Sequence, residues 1–200
     1  LREIRFKRNL AIFAKIPKGV DETLRRYDEE IATCKDLFVQ KTADYGTSWR
    51  ILRPASLTDQ LFIKAKRIRN IQELGEQKIG DSVRQEFQGI VNYSVMALIQ
   101  LSEPPKDRFD LTPGTACSLY DEQTLEARRL MVDKNHDYGE VWRDMRLSSL
   151  VDIILTKIFR IKQIEDNSGK TLASEGVAAN YQDILNYAVF SLVKLSESEN

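Results

Sequence analysis

The sequence predicts an all-α protein, two homologous three-helix repeats packed as a pseudo-twofold helical bundle. Three observations lead there. Apolar residues recur at helical spacing through most of the chain, and no stretch shows the strict alternation of a strand. The chain repeats itself: Tyr27-Asp28-Glu29 matches Tyr120-Asp121-Glu122, and the register holds through Asp44/Asp137, Trp49/Trp142, Arg53/Arg146, Asp59/Asp152, Lys64/Lys157 and Arg67/Arg160. One extra residue enters the second copy near Ser174, after which Val83 matches Val177, Asn92-Tyr93 matches Asn186-Tyr187 and Leu101 matches Leu195. Helix-breaking residues fall between the periodic segments, with Asp-Tyr-Gly at the same place in both copies. Two related units in one chain pack most simply about a twofold axis, as the subunits of a dimer do.

In chain order, residues 1–20 form a basic extension, with Arg2, Arg5, Lys7, Arg8, Lys15 and Lys18 against Glu3. It is expected to be solvated or partly helical, the alternative being an arm for a nucleic acid or a protein partner. Repeat 1 covers 21–101, a linker 102–119, and repeat 2 120–200. The linker carries three prolines and a glycine between Ser102 and Ser118.

The first helix of each repeat is expected over Asp21–Ala43 and Asp121–His136. Ile31, Cys34 and Phe38 mark its apolar face in one copy, Leu125, Leu130 and Met131 in the other. The Gly of Asp-Tyr-Gly ends it, since glycine best adopts the left-handed turn after a helix. The second helix is expected to start at Ser56 and Ser149, where Ser-Leu-x-Asp resembles a capping box, and to run to near Glu73 and Asp166. The third is expected from near Asp81 and near Ser174-Glu175. Its apolar face carries Val83, Phe87, Ile90, Val91, Val95 and Leu98, and in copy two Val177, Tyr181, Ile184, Leu185, Val189 and Leu192.

Composition narrows the function. Thirty basic residues balance thirty acidic ones, which argues against a generally basic nucleic-acid-binding surface. No apolar run approaches the roughly 20 residues of a membrane span. Cys34 and Cys117 are far apart and form no CxxC pair, so neither a zinc site nor a disulfide is expected. The first twenty residues lack the apolar core of a signal peptide, and a cytoplasmic location is expected.

Polar residues on the apolar helices are the candidates for chemistry. Asp152, Thr156 and Arg160 share one face of the second helix of copy two, with Lys157 beside them. Glu175, Asp183 and Tyr187 share a face of the third, with Asn186 adjacent. Asp183 and Asn186 lie among apolar residues, and a buried charge needs a partner. Lys157 or Arg160 could pair with Asp183, or Asp183 could bind a divalent cation. In one reading Glu175 and Asp183, with Asp137 or Asp152, hold Mg²⁺, while Lys157 and Arg160 bind phosphate oxygens and Tyr138 or Trp142 packs against a base. In the other the same groups are internal ion pairs that fix helix packing. Copy one keeps the basic pair as Lys64 and Arg67 but has Gly89 at the Asp183 position. The only histidine, His136, aligns with Ala43 and so lies outside the shared design. Lys41 and Lys134, near a helix end, complement its dipole. Trp49 and Trp142 are expected to anchor the core.

The segment K-[NT]-x-D-Y-G-x-x-W-R, the following S-L-x-D, the K-x-x-R-I of the second helix and the D-x-x-N-Y of the third together resemble the nucleotide modification-associated domain family, in two tandem copies. The resemblance implies a role in nucleotide or modified-base metabolism. More distantly the chain is similar to the all-α nucleoside triphosphate pyrophosphohydrolases, which hold Mg²⁺ on acidic residues of bundle helices and cleave between the α and β phosphates. Their signature pairs acids on successive helices, whereas here Asp152 is followed by Lys157 and Arg160, and Asn180 precedes Asp183.

The expected function is therefore binding of a nucleotide or nucleotide derivative, with Mg²⁺-dependent phosphoanhydride hydrolysis as the reaction. Asp137, Glu175 and Asp183 are the expected catalytic groups. Lys134, Tyr138, Lys157, Arg160, Asn186, Lys64 and Arg67 are the expected substrate contacts, and Glu175, Asp183 and Asp152 the expected Mg²⁺ ligands. Expected partners are the nucleotide and further copies of the chain in a homo-oligomer. The alternative is a non-catalytic helical interaction module with structural polar networks.

Overall fold

The structure, a computed structural model, describes residues 18–76, 80, 82–105, 110–171 and 175–198. The basic extension lies outside these residues except for its last three, and so do Asp81 and Ser174, the expected starts of the third helices. Six α-helices follow one another among the described residues: α1 (Lys18–Tyr45), α2 (Pro54–Leu74), α3 (Val83–Ser102), α4 (Pro113–Tyr138), α5 (Leu147–Asp166) and α6 (Val177–Ser198). A short 3-10 helix follows α1 at Ser48–Ile51 and another follows α4 at Val141–Arg143. No strand occurs among the described residues, and none of their helices is long and apolar enough to cross a membrane. Cys34 and Cys117 are both free thiols.

Helical periodicity puts matched stripes into the core. Leu57, Leu61, Ala65 and Ile68 of α2 are fully buried, as are their counterparts Leu150, Ile154, Ile158 and Ile161 of α5. Each buried leucine or isoleucine contributes about 1.5–3 kcal/mol relative to exposure. α3 and α6 are more apolar still and pack on each other at the centre, with α2 against α3, α5 against α6, and α2 against α5. α1 and α4 cover this bundle, and each touches the third helix of both copies.

The two copies are therefore interlocked, and reciprocal polar contacts show the twofold relation. Tyr27 of α1 donates its hydroxyl to Asn186 Oδ1 on α6 at 2.7 Å, and Tyr120 of α4 donates to Asn92 Oδ1 on α3 at 2.8 Å. Each asparagine in turn donates Nδ2 to a carbonyl of its own copy, Asn92 to Cys34 at 3.0 Å and Asn186 to Ala127 at 3.1 Å. Lys35 pairs with Asp121 at 2.7 Å, and Arg128 with Asp28 at 2.6 Å. Lys162 pairs with Asp59 at 2.5 Å, and Arg69 with Asp152 at 3.6 Å. Every one of these pairs maps onto its partner when the copies are exchanged.

Helix boundaries differ from expectation in three places, each for a local reason. α2 and α5 start two residues early, with Arg53 and Arg146 as N-caps and no side-chain cap. Ser56 and Ser149 lie inside the first turn, where their amides already donate to the carbonyls of Arg53 and Arg146. The capping box is at α3 instead. There Ser82 Oγ accepts from the Gln85 amide at 3.2 Å, and Gln85 Oε1 accepts from the Ser82 amide at 2.7 Å. α4 begins at Pro113, within the segment expected to be a linker. Thr112 caps it by accepting from the Thr115 amide at 3.1 Å, and Pro113 occupies the first turn, where its missing N–H costs nothing. The glycine stops are present: Gly46 has φ of 61° and Gly139 of 65°, both in the region that glycine alone adopts freely.

Candidate functional site

Two clefts open at equivalent places in the two copies. Each is bounded by the end of a first helix, the 3-10 turn after it, and the facing sides of the second and third helices. Cleft one, in the first copy, has a volume of about 550 Å³, and cleft two about 440 Å³. Both fall in the size range of small-molecule sites. Cleft one is lined by Lys41, Tyr45, Trp49, Lys64, Asn92 and Tyr93 among others, and cleft two by their counterparts Lys134, Tyr138, Trp142, Lys157, Asn186 and Tyr187.

The lining follows from local sequence. The positive-φ glycine turns the chain sharply out of the first helix, so Tyr45 and Tyr138 stand exposed at the mouths. The tryptophans three residues on fold back into the core. Trp142 stacks on Phe190 with ring centroids 4.3 Å apart, and Trp49 tilts against Phe38 at 6.3 Å. Their indole N–H groups are buried with no acceptor among the described residues. Tyr93 and Tyr187 form a wall, and burial raises the pKa of both phenols above the usual range, helped at Tyr187 by the nearby Asp183 carboxylate.

Of the expected site residues, cleft two gathers Lys134, Tyr138, Lys157, Glu175, Asp183 and Asn186. Asp183 is the focus. It is buried, and its two oxygens each accept from an ammonium group, Oδ1 from Lys134 and Oδ2 from Lys157, both at 2.5 Å. Such charge-assisted bonds are the strong kind. Asn186 borders the cleft, but its amide is committed to Tyr27 and Ala127.

Three expected site residues lie elsewhere. Asp137 is exposed beside His136, whose Nδ1 is 3.1 Å from Asp137 Oδ1. Asp152 is exposed and faces Arg69 of the other copy. Arg160 is exposed on α5 and does not line the cleft. The separation is geometric: Lys157 follows Asp152 by five residues and precedes Arg160 by three, and only Lys157 sits on the side of α5 that meets α6. In the first copy, Lys64 lines cleft one together with Glu86, while Arg67, which also pairs with Glu86, does not line it.

The donor set does not fit a resident Mg²⁺. Both oxygens of Asp183 carry ammonium groups, Asp152 is turned away, and among the described residues no three His, Cys, Asp or Glu side chains are placed to share a metal ion. In the first copy Gly89 takes the place of Asp183, and the buried carboxylate in the lining is Glu86, which Lys64 and Arg67 both engage. Residues not expected as contacts complete the clefts: Lys41, Tyr45, Tyr93 and Tyr187. The internal alignment carried their signal, because each repeats at the matched position.

A family model described as nucleotide modification associated domain 1 matches residues 41–101 and 134–195. The two matches begin at Lys41 and Lys134 and end at Leu101 and Leu195, equivalent positions in the two copies, and together span more than half of the chain. Each takes in a whole cleft lining from the first lysine onward. No curated protein and no solved structure matches the chain.

Proposed function

The chain belongs to the nucleotide modification associated domain 1 family, in two copies, and from that we infer that its lysine-bearing clefts bind a nucleotide or nucleotide derivative through phosphate oxygens. The observation that carries this reading is the convergence of two lysines from different helices into each cleft, Lys41 with Lys64 and Lys134 with Lys157. Two ammonium groups lining one cleft supply up to six N–H donors for an oxyanion. An exposed tyrosine stands at each mouth, Tyr45 or Tyr138. Base stacking on an aromatic side chain is worth about 1–3 kcal/mol and tolerates any base. A phosphate at the lysines and a base against the tyrosine fit a site of this size.

The reading assigns binding and no resident metal. Mg²⁺ enters with the ligand, as the counter-ion of its phosphates, with Glu175 as the cleft-two carboxylate open to it. Phosphoanhydride hydrolysis would need a positioned base, and Asp137 lies away from the cleft beside His136. The interaction-module alternative accounts for Asp152 and Asn186, whose side chains bind the other copy. It accounts for Lys64 as the partner of Glu86 as well, and leaves Lys41 without a purpose.

Thermal unfolding with ribo- and deoxynucleoside mono-, di- and triphosphates, with and without Mg²⁺, tests this reading. A ligand at a hundred times its dissociation constant adds about 2.7 kcal/mol. For a chain of this length that raises Tm by about 5–10 °C. Lys41→Ala should remove the part of the shift that cleft one supplies without lowering the unliganded Tm by more than a degree or two, and Lys64→Ala should remove it as well. No shift with any nucleotide would end the proposal.

A further inference from the structure

We propose that the chain holds one open phosphate site, in the first copy, and that Asp183 fills the equivalent site of the second copy as a built-in stand-in for the ligand's anion. The inference rests on the nucleotide-binding reading and sharpens it from two matched clefts to one receptive and one self-filled. In cleft two the Asp183 carboxylate bridges Lys134 and Lys157, one oxygen to each, at 2.5 Å. That is the arrangement a phosphate would adopt between the same two cations, so the copy displays its own occupied state.

Cleft one has the same lysines and lacks the bridge. Gly89 stands at the Asp183 position, and a side chain there would meet the Lys64 stem, whose Cε lies 2.5 Å from where a Cβ would be. The lysine has moved into the space the carboxylate occupies in the other copy. Its ammonium group lies 5.9 Å from the centre of the Tyr93 ring and 3.3 Å from Glu86 Oε2, a carboxylate that Arg67 also engages. Lys41 has no ion pair among the described residues. One lysine is thus unpaired and the other shares its partner, in the cleft of larger volume.

An anion entering cleft one gains the unpaired Lys41 and shares Lys64 with Glu86, a lining carboxylate that Arg67 also neutralises, so no carboxylate has to leave from between the two lysines. An anion entering cleft two must first displace a buried carboxylate, which would be left desolvated beside it. Like charges in that setting repel strongly, and such an arrangement works as a block against binding. The residue at the 89/183 position therefore decides which copy accepts ligand.

Equilibrium dialysis and calorimetry with each ribo- and deoxynucleoside monophosphate, and separately with inorganic pyrophosphate, should give one ligand per chain for the wild type. Gly89→Asp should weaken binding at least tenfold, while Gly89→Asn, of nearly the same volume but without the charge, should lose less than threefold. Asp183→Gly should bring a second site into view, and Asp183→Asn provides the same test should the glycine variant fail to fold. Two equivalent sites in the wild type would overturn the inference and leave the nucleotide reading standing. Equal losses in Gly89→Asp and Gly89→Asn, or a stoichiometry that stays at one in both Asp183 variants, would also overturn it. Binding of no probe by any variant would overturn the nucleotide reading, and this inference with it.

Discussion

Replacing Asn186 by alanine should destabilise the fold through the contact between copies. The Asn186 side chain holds the Tyr27 hydroxyl at 2.7 Å and donates to the Ala127 carbonyl at 3.1 Å. Ala127 sits inside α4 and keeps its helical amide partner after the substitution. Tyr27 has no such reserve. Its hydroxyl is buried, and burial holds the phenol far above its ordinary pKa, so it remains a proton donor. A buried donor left unsatisfied costs about 1–3 kcal/mol, and the lost amide volume adds some cavity cost, for a total of about 2–3 kcal/mol. At about 2–4 °C per kcal/mol, Tm should fall by about 4–12 °C. Tyr27→Phe should cost about 1–2 kcal/mol, because it leaves the Asn186 carbonyl oxygen unpaired. Chemical denaturation of wild type, both single variants and the double variant closes a double-mutant cycle, expected to give a coupling energy of about 1 kcal/mol. A coupling within about 0.3 kcal/mol of zero would refute the assignment of this pair as the clasp. The Tyr120–Asn92 cycle should give a matching value, since the two contacts are twofold equivalents.

Three further outcomes follow from the geometry. Asp59→Asn and Asp152→Asn each remove an exposed ion pair between copies, so each should cost under about 1 kcal/mol. Denaturation midpoints should place the shorter Lys162–Asp59 pair above the Arg69–Asp152 pair, and nucleotide-dependent shifts should survive both changes. Cys34 is fully buried, and burial pushes its thiol up to about 12. It should therefore resist iodoacetamide at pH 8 in the native protein and be labelled on denaturation, as mass spectrometry can read. Burial also raises the Glu165 carboxyl, opposed by a hydrogen bond from Thr58. The folded state then holds a proton that the unfolded state releases near its ordinary carboxyl pKa, so this group's contribution to stability is full below that pH and falls as pH rises through the folded pKa. Glu165→Gln should flatten that fall and raise Tm at pH 7, and a pH series of melting curves would show it.

The candidate site was legible in the sequence up to the point where helices meet. Lys157 and Asp183 were singled out as polar groups on apolar helices, Lys134 and Tyr138 from the repeated segment that ends the first helix, and all four line one cleft. The helical spacing that pointed to Lys157 and Asp183 also collected Asp152 and Arg160, which face solvent and the other copy. A period of 3.6 residues places side chains on a helix face without saying which neighbour that face meets. The Asn of the Asn-Tyr pair looked like a ligand contact because it is polar on an apolar helix. Its use is in joining the copies, and that depends on Tyr27, a residue far away in the chain.

By itself the sequence determined the helices, their glycine stops, the duplication and the paired lysines, because these rest on local periodicity, local backbone preference and comparison of the chain with itself. Tertiary structure alone decided that α1 and α4 reach across to the third helix of the other copy. It also decided that Asp183 takes two lysines rather than one, and that Lys64 lies in the space over Gly89. Those are matters of docking. The cation that meets a carboxylate is set by how helices from distant parts of the chain pack, and packing is a property of the assembled core.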